Sequence, residues 1–121
     1  LKRSFTETLK SLQTTNQNIF LIGDIPLGTL NHSDPNLCLL AKKPKDCFGL
    51  TKDVVWNNPF ADAVQESGVG EYIPVDNLFC IGTRCYKSIG GVPVYRDDDH
   101  INVWYSRSTA ELWKTRFESL K

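Results

Sequence analysis

Apolar residues recur at Phe5, Leu9 and Leu12 across residues 2–14. Spacings of four and three predict an amphipathic helix with one buried face. Thr14-Thr15-Asn16 closes it with residues that favour turns. Ile19-Phe20-Leu21-Ile22 is a short continuous apolar run, rich in β-branched and aromatic side chains. It predicts a strand buried on both faces, as in a parallel sheet, stopped by Gly23-Asp24-Ile25-Pro26. Helix, turn and buried strand make half of an α/β unit.

From Pro26 to Thr51 the pattern dissolves into Pro, Gly, Asn, Ser and Asp, so a long loop is expected there. Periodicity returns over residues 59–66, a short helix with Pro59 near its start and Phe60, Ala63 and Val64 facing inward. Ser67-Gly68-Val69-Gly70 ends it. Tyr72-Ile73-Pro74-Val75 predicts a short strand at a sheet edge or a strand end, because proline cannot donate to a ladder. Residues 77–85 form a loop, Gly90-Gly91 a turn, and residues 92–95 an extended piece. A last helix is expected over 103–120, with Val103, Trp104, Ala110, Trp113, Phe117 and Leu120 near one face. Ser108 and Glu111 have the spacing of a capping box for its main body. On this pattern Trp104 and Trp113 fall in the core.

The chain has 121 residues, enough to bury a core of its own in a single domain. Lysine plus arginine total 14 and aspartate plus glutamate 14, so the net charge is zero. A nucleic-acid partner is set aside, since such binders carry a basic excess or stripe. Lys42, Lys43 and Lys45 form a small basic cluster that reads as a solvated loop. No apolar run approaches the roughly 18 residues of a membrane span. The sequence has no Met and opens without a signal peptide, so we expect a piece of a longer polypeptide.

Four cysteines, Cys38, Cys47, Cys80 and Cys85, fall as two close pairs. The spacing favours two local disulfides, Cys38–Cys47 and Cys80–Cys85, among the three connectivities possible. Buried free thiols and a zinc site completed by His32 or His100 remain as alternatives. Disulfides would imply an oxidising compartment.

Candidate chemistry concentrates in Tyr95-Arg96-Asp97-Asp98-Asp99-His100. Asp97 and His100 are three apart, close enough in a tight turn for the carboxylate to accept the Nδ1 proton. The imidazole is then oriented, and Nε2 is available as a base. Two other readings stand beside this one: a divalent cation such as calcium at Asp97 to Asp99, and a solvated acidic turn before a helix. The chain holds no Gly-Asp-Ser and no Gly-x-Ser-x-Gly elbow, so a catalytic serine would have to lie elsewhere.

Four pieces in order resemble the C-terminal part of the SGNH-hydrolase-type domain fused to acyltransferase-3 membrane proteins. They are the helix with the strand Ile19 to Pro26, the segment Asn36-Leu37-Cys38-Leu39-Leu40, the loop from Cys80 to Cys85, and Gly91-Val92-Pro93-Val94-Tyr95-Arg96-Asp97-Asp98-Asp99-His100. The last carries the family's Asp-x-x-His motif. After it the chain departs from the family's usual Leu-Ser and Gly-Ala, with Ile101-Asn102 and Tyr105-Ser106.

The resemblance implies an incomplete flavodoxin-like three-layer α/β sandwich with a short, mostly parallel sheet. Residues 1–121 would be the C-terminal portion of one SGNH-like domain. It implies Asp97 and His100 as the Asp-His half of a triad, with Asp98 and Asp99 supporting them or facing solvent. The parent would be a bacterial envelope O-acyltransferase that acetylates lipopolysaccharide or peptidoglycan. A membrane domain would deliver the acyl donor on the periplasmic side, and a glycan would accept. No cofactor or metal is implied. Without serine and oxyanion donors the chain alone would be inactive. The rival expectation is a non-enzymatic, disulfide-stapled periplasmic or surface binding domain, with exposed Trp56, Tyr72 and Trp104 stacking on sugar rings.

Overall fold

The computed structural model describes residues 2–15, 18–28, 34–56 and 58–119. In chain order the elements are α1 (Lys2–Gln13), β1 (Phe20–Ile22), α2 (Pro35–Ala41), β2 (Phe48–Leu50) and α3 (Thr51–Val54). Then come α4 (Pro59–Ser67), β3 (Glu71–Ile73), β4 (Cys80–Ile81), β5 (Arg84–Tyr86), β6 (Ser88–Ile89), β7 (Val92–Pro93), α5 (Val103–Ser108) and α6 (Ala110–Ser119). They form two compact units, each built from two stretches of chain.

The first unit combines Leu1–Ile25 with Trp56–Asp76. Its helices α1 and α4 pack through Leu9, Ala63 and Val69, with Phe5, Ile19, Leu21 and Val64 around them. Phe5 meets Phe60 edge to face at 4.4 Å, an arrangement the ring quadrupoles favour. The α4 helix starts where expected because Asn58 accepts the Phe60 amide and Pro59 sits in the first turn, where its missing N–H costs nothing. Gly68, at φ 66°, ends it in the left-handed conformation. Strands β1 and β3 run parallel, Phe20 opposite Glu71 and Ile22 opposite Ile73. The parallel expectation holds, and Pro74 follows the strand end. Burial on both faces does not hold: Phe20 is 39% exposed and Ile22 48%. Within β1 only Leu21 turns toward the core cluster, so its side chains alternate by the pleat. Leu12 is exposed as well, one turn beyond Leu9, where α1 has run past its core.

The second unit combines Pro26–Val55 with Asn77–Lys121. Phe79, Tyr95 and Tyr105 pack with tilted rings at its centre, with Val54, Val94, Cys47 and Cys85 also buried. Strands β2, β5 and β4 form an antiparallel sheet, and β6 and β7 a hairpin. The parallel pairing expected is found in the β1–β3 pair; among the described residues the other strand pairs are antiparallel. Connections of a few residues, such as Gly82-Thr83 between β4 and β5, can join only antiparallel strands. The expected loop over 77–85 is mostly this hairpin.

Two further corrections concern helices. Residues 26–51 are not all loop, since α2, a 3-10 turn at Pro44–Asp46 and β2 lie within them. The single last helix is broken at Thr109, whose hydroxyl bonds back to the Ser106 carbonyl, while Ser108 bonds back to Tyr105. Ser108 thus forms no capping box; Asn102 caps α5 by accepting the Trp104 amide. The break re-aims the expected face. Tyr105 is buried, Trp104 is 65% exposed, and Trp113 is only half-buried against Phe117. His32 lies outside the described residues.

Candidate functional site

The acidic segment forms a closed loop in the second unit. Tyr95 and Ile101 bridge antiparallel, the Arg96 amide donates to the His100 carbonyl at 2.9 Å, and Asn102 donates to Val94 at 2.8 Å. Residues 96–100 are thereby forced into a tight turn. Asp97 organises its interior: Oδ1 accepts the backbone amides of Asp99 (3.3 Å) and His100 (2.9 Å). Aspartate is suited to such turns because its short carboxylate reaches the amides two and three residues on.

That same Oδ1 lies 2.7 Å from His100 Nδ1. The Arg96 guanidinium holds the other oxygen, donating from Nε at 3.1 Å and Nη2 at 3.0 Å. The carboxylate therefore has fixed orientation from both sides. Partial desolvation pushes the Asp97 carboxyl up, but bonds from His100, Arg96 and the two amides outweigh it. The group is held well below the usual carboxylate range. The bond to Asp97 and the charges of Asp97 and Asp99 push His100 up, against desolvation and Arg96. The imidazole side chain is 61% exposed, and its Nε2 makes no hydrogen bond among the described residues.

The expected pairing of Asp97 with His100 is thus present as geometry. Asp99 is exposed and lies beside the pair, its Oδ1 2.8 Å from the same Nδ1. A single N–H faces two carboxylates, and Asp97, fixed by four other donors, is the better-ordered partner. One ligand atom each from Asp97, Asp99 and His100 also falls within 4.8 Å of the others, a set able to hold a cation. Two carboxylates and an imidazole suit a transition ion more than calcium, which takes six to eight oxygens. Asp98 is half-buried, and its carbonyl accepts the Gly28 amide at 2.7 Å.

Sequence reasoning missed the outer supports. Gly28 and Asn36, which donates from Nδ2 to the Arg96 carbonyl at 3.2 Å, hold the loop from 60 to 70 residues away. Tyr95 reaches the Pro26 carbonyl at 3.0 Å through its buried hydroxyl. No local spacing announces such contacts. Only the adjacency of Arg96 to Asp97 was readable.

The cysteines pair as the spacing favoured. Cys38–Cys47 and Cys80–Cys85 are both bonded, which removes the free-thiol and zinc alternatives. Two disulfides fit a domain that works in an oxidising compartment. Among the described residues no helix is long and apolar enough to cross a membrane.

Residues 1–115 match the profile of the family described as SGNH domain (fused to AT3 domains). Searches of the curated proteins and of the solved structures gave no match.

Proposed function

Because the chain belongs to the family of SGNH domains fused to AT3 domains, we propose that it is the C-terminal portion of the SGNH-like domain of a bacterial envelope O-acyltransferase. In this reading β1 and β3 belong to the parallel sheet of a flavodoxin-like three-layer sandwich, completed by strands outside these residues. The observation that carries the proposal is the 2.7 Å contact between Asp97 Oδ1 and His100 Nδ1, on an exposed imidazole.

The division of labour follows from that contact. Asp97 accepts the Nδ1 proton, which fixes the tautomer in which Nε2 is the base. Arg96 keeps the carboxylate aimed and ionised. His100 Nε2 takes the proton from a serine outside this chain as that serine attacks the acyl donor. It gives that proton to the leaving group of the acyl donor as the acyl-serine forms, takes the proton of a glycan hydroxyl as the hydroxyl attacks the acyl-serine, and returns it to the departing serine oxygen. The imidazolium formed in each step is stabilised by the nearby Asp97 and Asp99 carboxylates. The membrane acyltransferase domain delivers the acetyl group on the periplasmic side, and surface polysaccharide accepts it.

The test is His100→Ala in the intact membrane protein, with O-acetyl groups on the surface polysaccharide counted by NMR. Loss of acetylation with protein level unchanged is expected. Wild-type acetylation would refute the assignment. A second reading rests on the exposed indoles of Trp56 and Trp104: a non-enzymatic domain that stacks on sugar rings. It predicts that Trp104→Ala abolishes glycan binding while His100→Ala changes nothing.

A further inference from the structure

Lys87 stands apart from the acidic loop and is 5% exposed. Buried lysines are rare unless paired. Among the described residues Lys87 has no carboxylate within ion-pair distance. Among the described residues its Nζ has one hydrogen-bond partner, the Leu27 carbonyl at a long 3.4 Å, and it lies 5.1 Å from the centre of the Tyr95 ring. An ammonium carries three N–H groups, so its donor capacity is largely unspent.

The same side chain lines a cavity of about 330 Å³ in the second unit, with Gly28, Phe48, Gly49, Leu50, Asp53 and Val54. That volume is at the lower end for small-molecule sites, about 300–1,000 Å³. Phe48, Leu50 and Val54 give it apolar walls. Gly49 is packed so closely on Val54 that a Cβ there would lie 2.6 Å from Cγ1, so the wall is shut at that point. Asp53 is exposed and contributes the one anionic group among the lining residues.

The geometry points to a binding site for a small monocarboxylate, its carboxylate on Lys87 Nζ and its short apolar body against Phe48, Leu50 and Val54. A carboxylate supplies the counter-charge and the acceptors that this buried amine lacks. The Asp53 charge disfavours a multiply charged anion such as phosphate. Burial pushes the Lys87 amine down to about 8, which leaves it mostly cationic near neutrality.

The experiment titrates the 121-residue chain with sodium butyrate, followed by backbone amide shifts. Saturable shifts are expected at residues 28, 48–50, 54 and 87. The neutral isostere butyramide and inorganic phosphate should each bind about tenfold more weakly or worse. Lys87→Met should abolish the response. Should that variant fail to fold, Leu50→Glu serves instead: it leaves Lys87 in place, sets a second carboxylate on the lining, and should weaken butyrate about tenfold. Absence of saturable shifts, equal binding of butyramide or phosphate, or an unchanged affinity in Leu50→Glu would each overturn the proposal.

Discussion

Gly28 donates its backbone N–H to the Asp98 carbonyl at 2.7 Å, and a Cβ on Gly28 would lie 2.8 Å from that same oxygen. The Asp97 carbonyl would be 3.1 Å away. Both obstacles are backbone, so neither can swing aside as a side chain could. Gly28→Ala should displace the acidic loop and cost about 1–3 kcal/mol. Urea denaturation reads the cost, and the His100 ring resonances read the displacement. A stable variant with unshifted His100 signals would show that the contact does not position the loop.

The charge pair within the loop has a definite pH signature. Asp97 is held below its unfolded value, so its contribution is present above about pH 3.9 and fades as pH falls through the folded value. His100 is raised, so its contribution is complete below about pH 6.5 and fades as pH rises through the raised value. The pair therefore stabilises the fold most between those limits. Asp97→Asn should flatten this window and lower the His100 pKa. Asp99→Asn should lower it less, because Asp97 raises it through both a hydrogen bond and its charge, and Asp99 through its charge alone. NMR titration of the His100 ring in the two variants decides the order.

In the intact protein Asp97→Asn should also reduce acyl transfer, by about 10⁴-fold if the residue sets the imidazole tautomer. A reduction of only a few-fold, with expression unchanged, would mean that Asp99 substitutes for it at Nδ1.

The two disulfides should differ in worth. Loop-closure entropy gives each about 2–3 kcal/mol from its short loop. Cys80 and Cys85, however, face each other across β4 and β5, whose ladder already closes that hairpin. Cys38 and Cys47 join the α2 helix to the residue before β2, with no strand pairing between them. Replacing Cys38 and Cys47 by alanine should therefore lower Tm more than replacing Cys80 and Cys85. Thermal denaturation of the two double variants settles the comparison.

Lys87 should make stability rise with alkaline pH. Its amine is pushed down to about 8 in the folded chain, against about 10.4 when unfolded. Between these values the unfolded chain binds more protons, so stability rises with pH by at most about 1.4 kcal/mol per unit. Tyr95 and Tyr105 are pushed up by burial and act in the opposite sense near pH 10. The measurement therefore belongs between about pH 8 and 9.5. Lys87→Met should abolish the slope there.

Where the sequence was legible, one residue type sufficed to decide a local structure. Leu9, Ala63 and Val64 announced the helical faces of the first unit, and Pro59 the start of its second helix; Asn58, which caps that helix, went unread. The same Asx-Pro signature stands at Asp34-Pro35, where Asp34 accepts the Asn36 amide and starts α2. It went unread because Leu37 and Leu40 are exposed, so the helix shows no apolar stripe. Trp104 was misassigned because the 3.6-residue period was carried through Thr109, where side-chain bonds to the backbone break the helix. At the site, the pairing of Asp97 with His100 follows from spacing within one turn. Its attachment to Gly28 and Asn36 depends on tertiary approach, which no local pattern encodes.

The order of the cysteine pairs has a consequence for biogenesis. Each bridge joins neighbours along the polypeptide, first with second and third with fourth. Of these four cysteines, a chain threaded N-terminus first into an oxidising compartment exposes Cys38 and Cys47 before Cys80 and Cys85 arrive. Among the four, the earliest bond available to each is then the native one, so emergence order alone favours the native pairing over the two crossed connectivities.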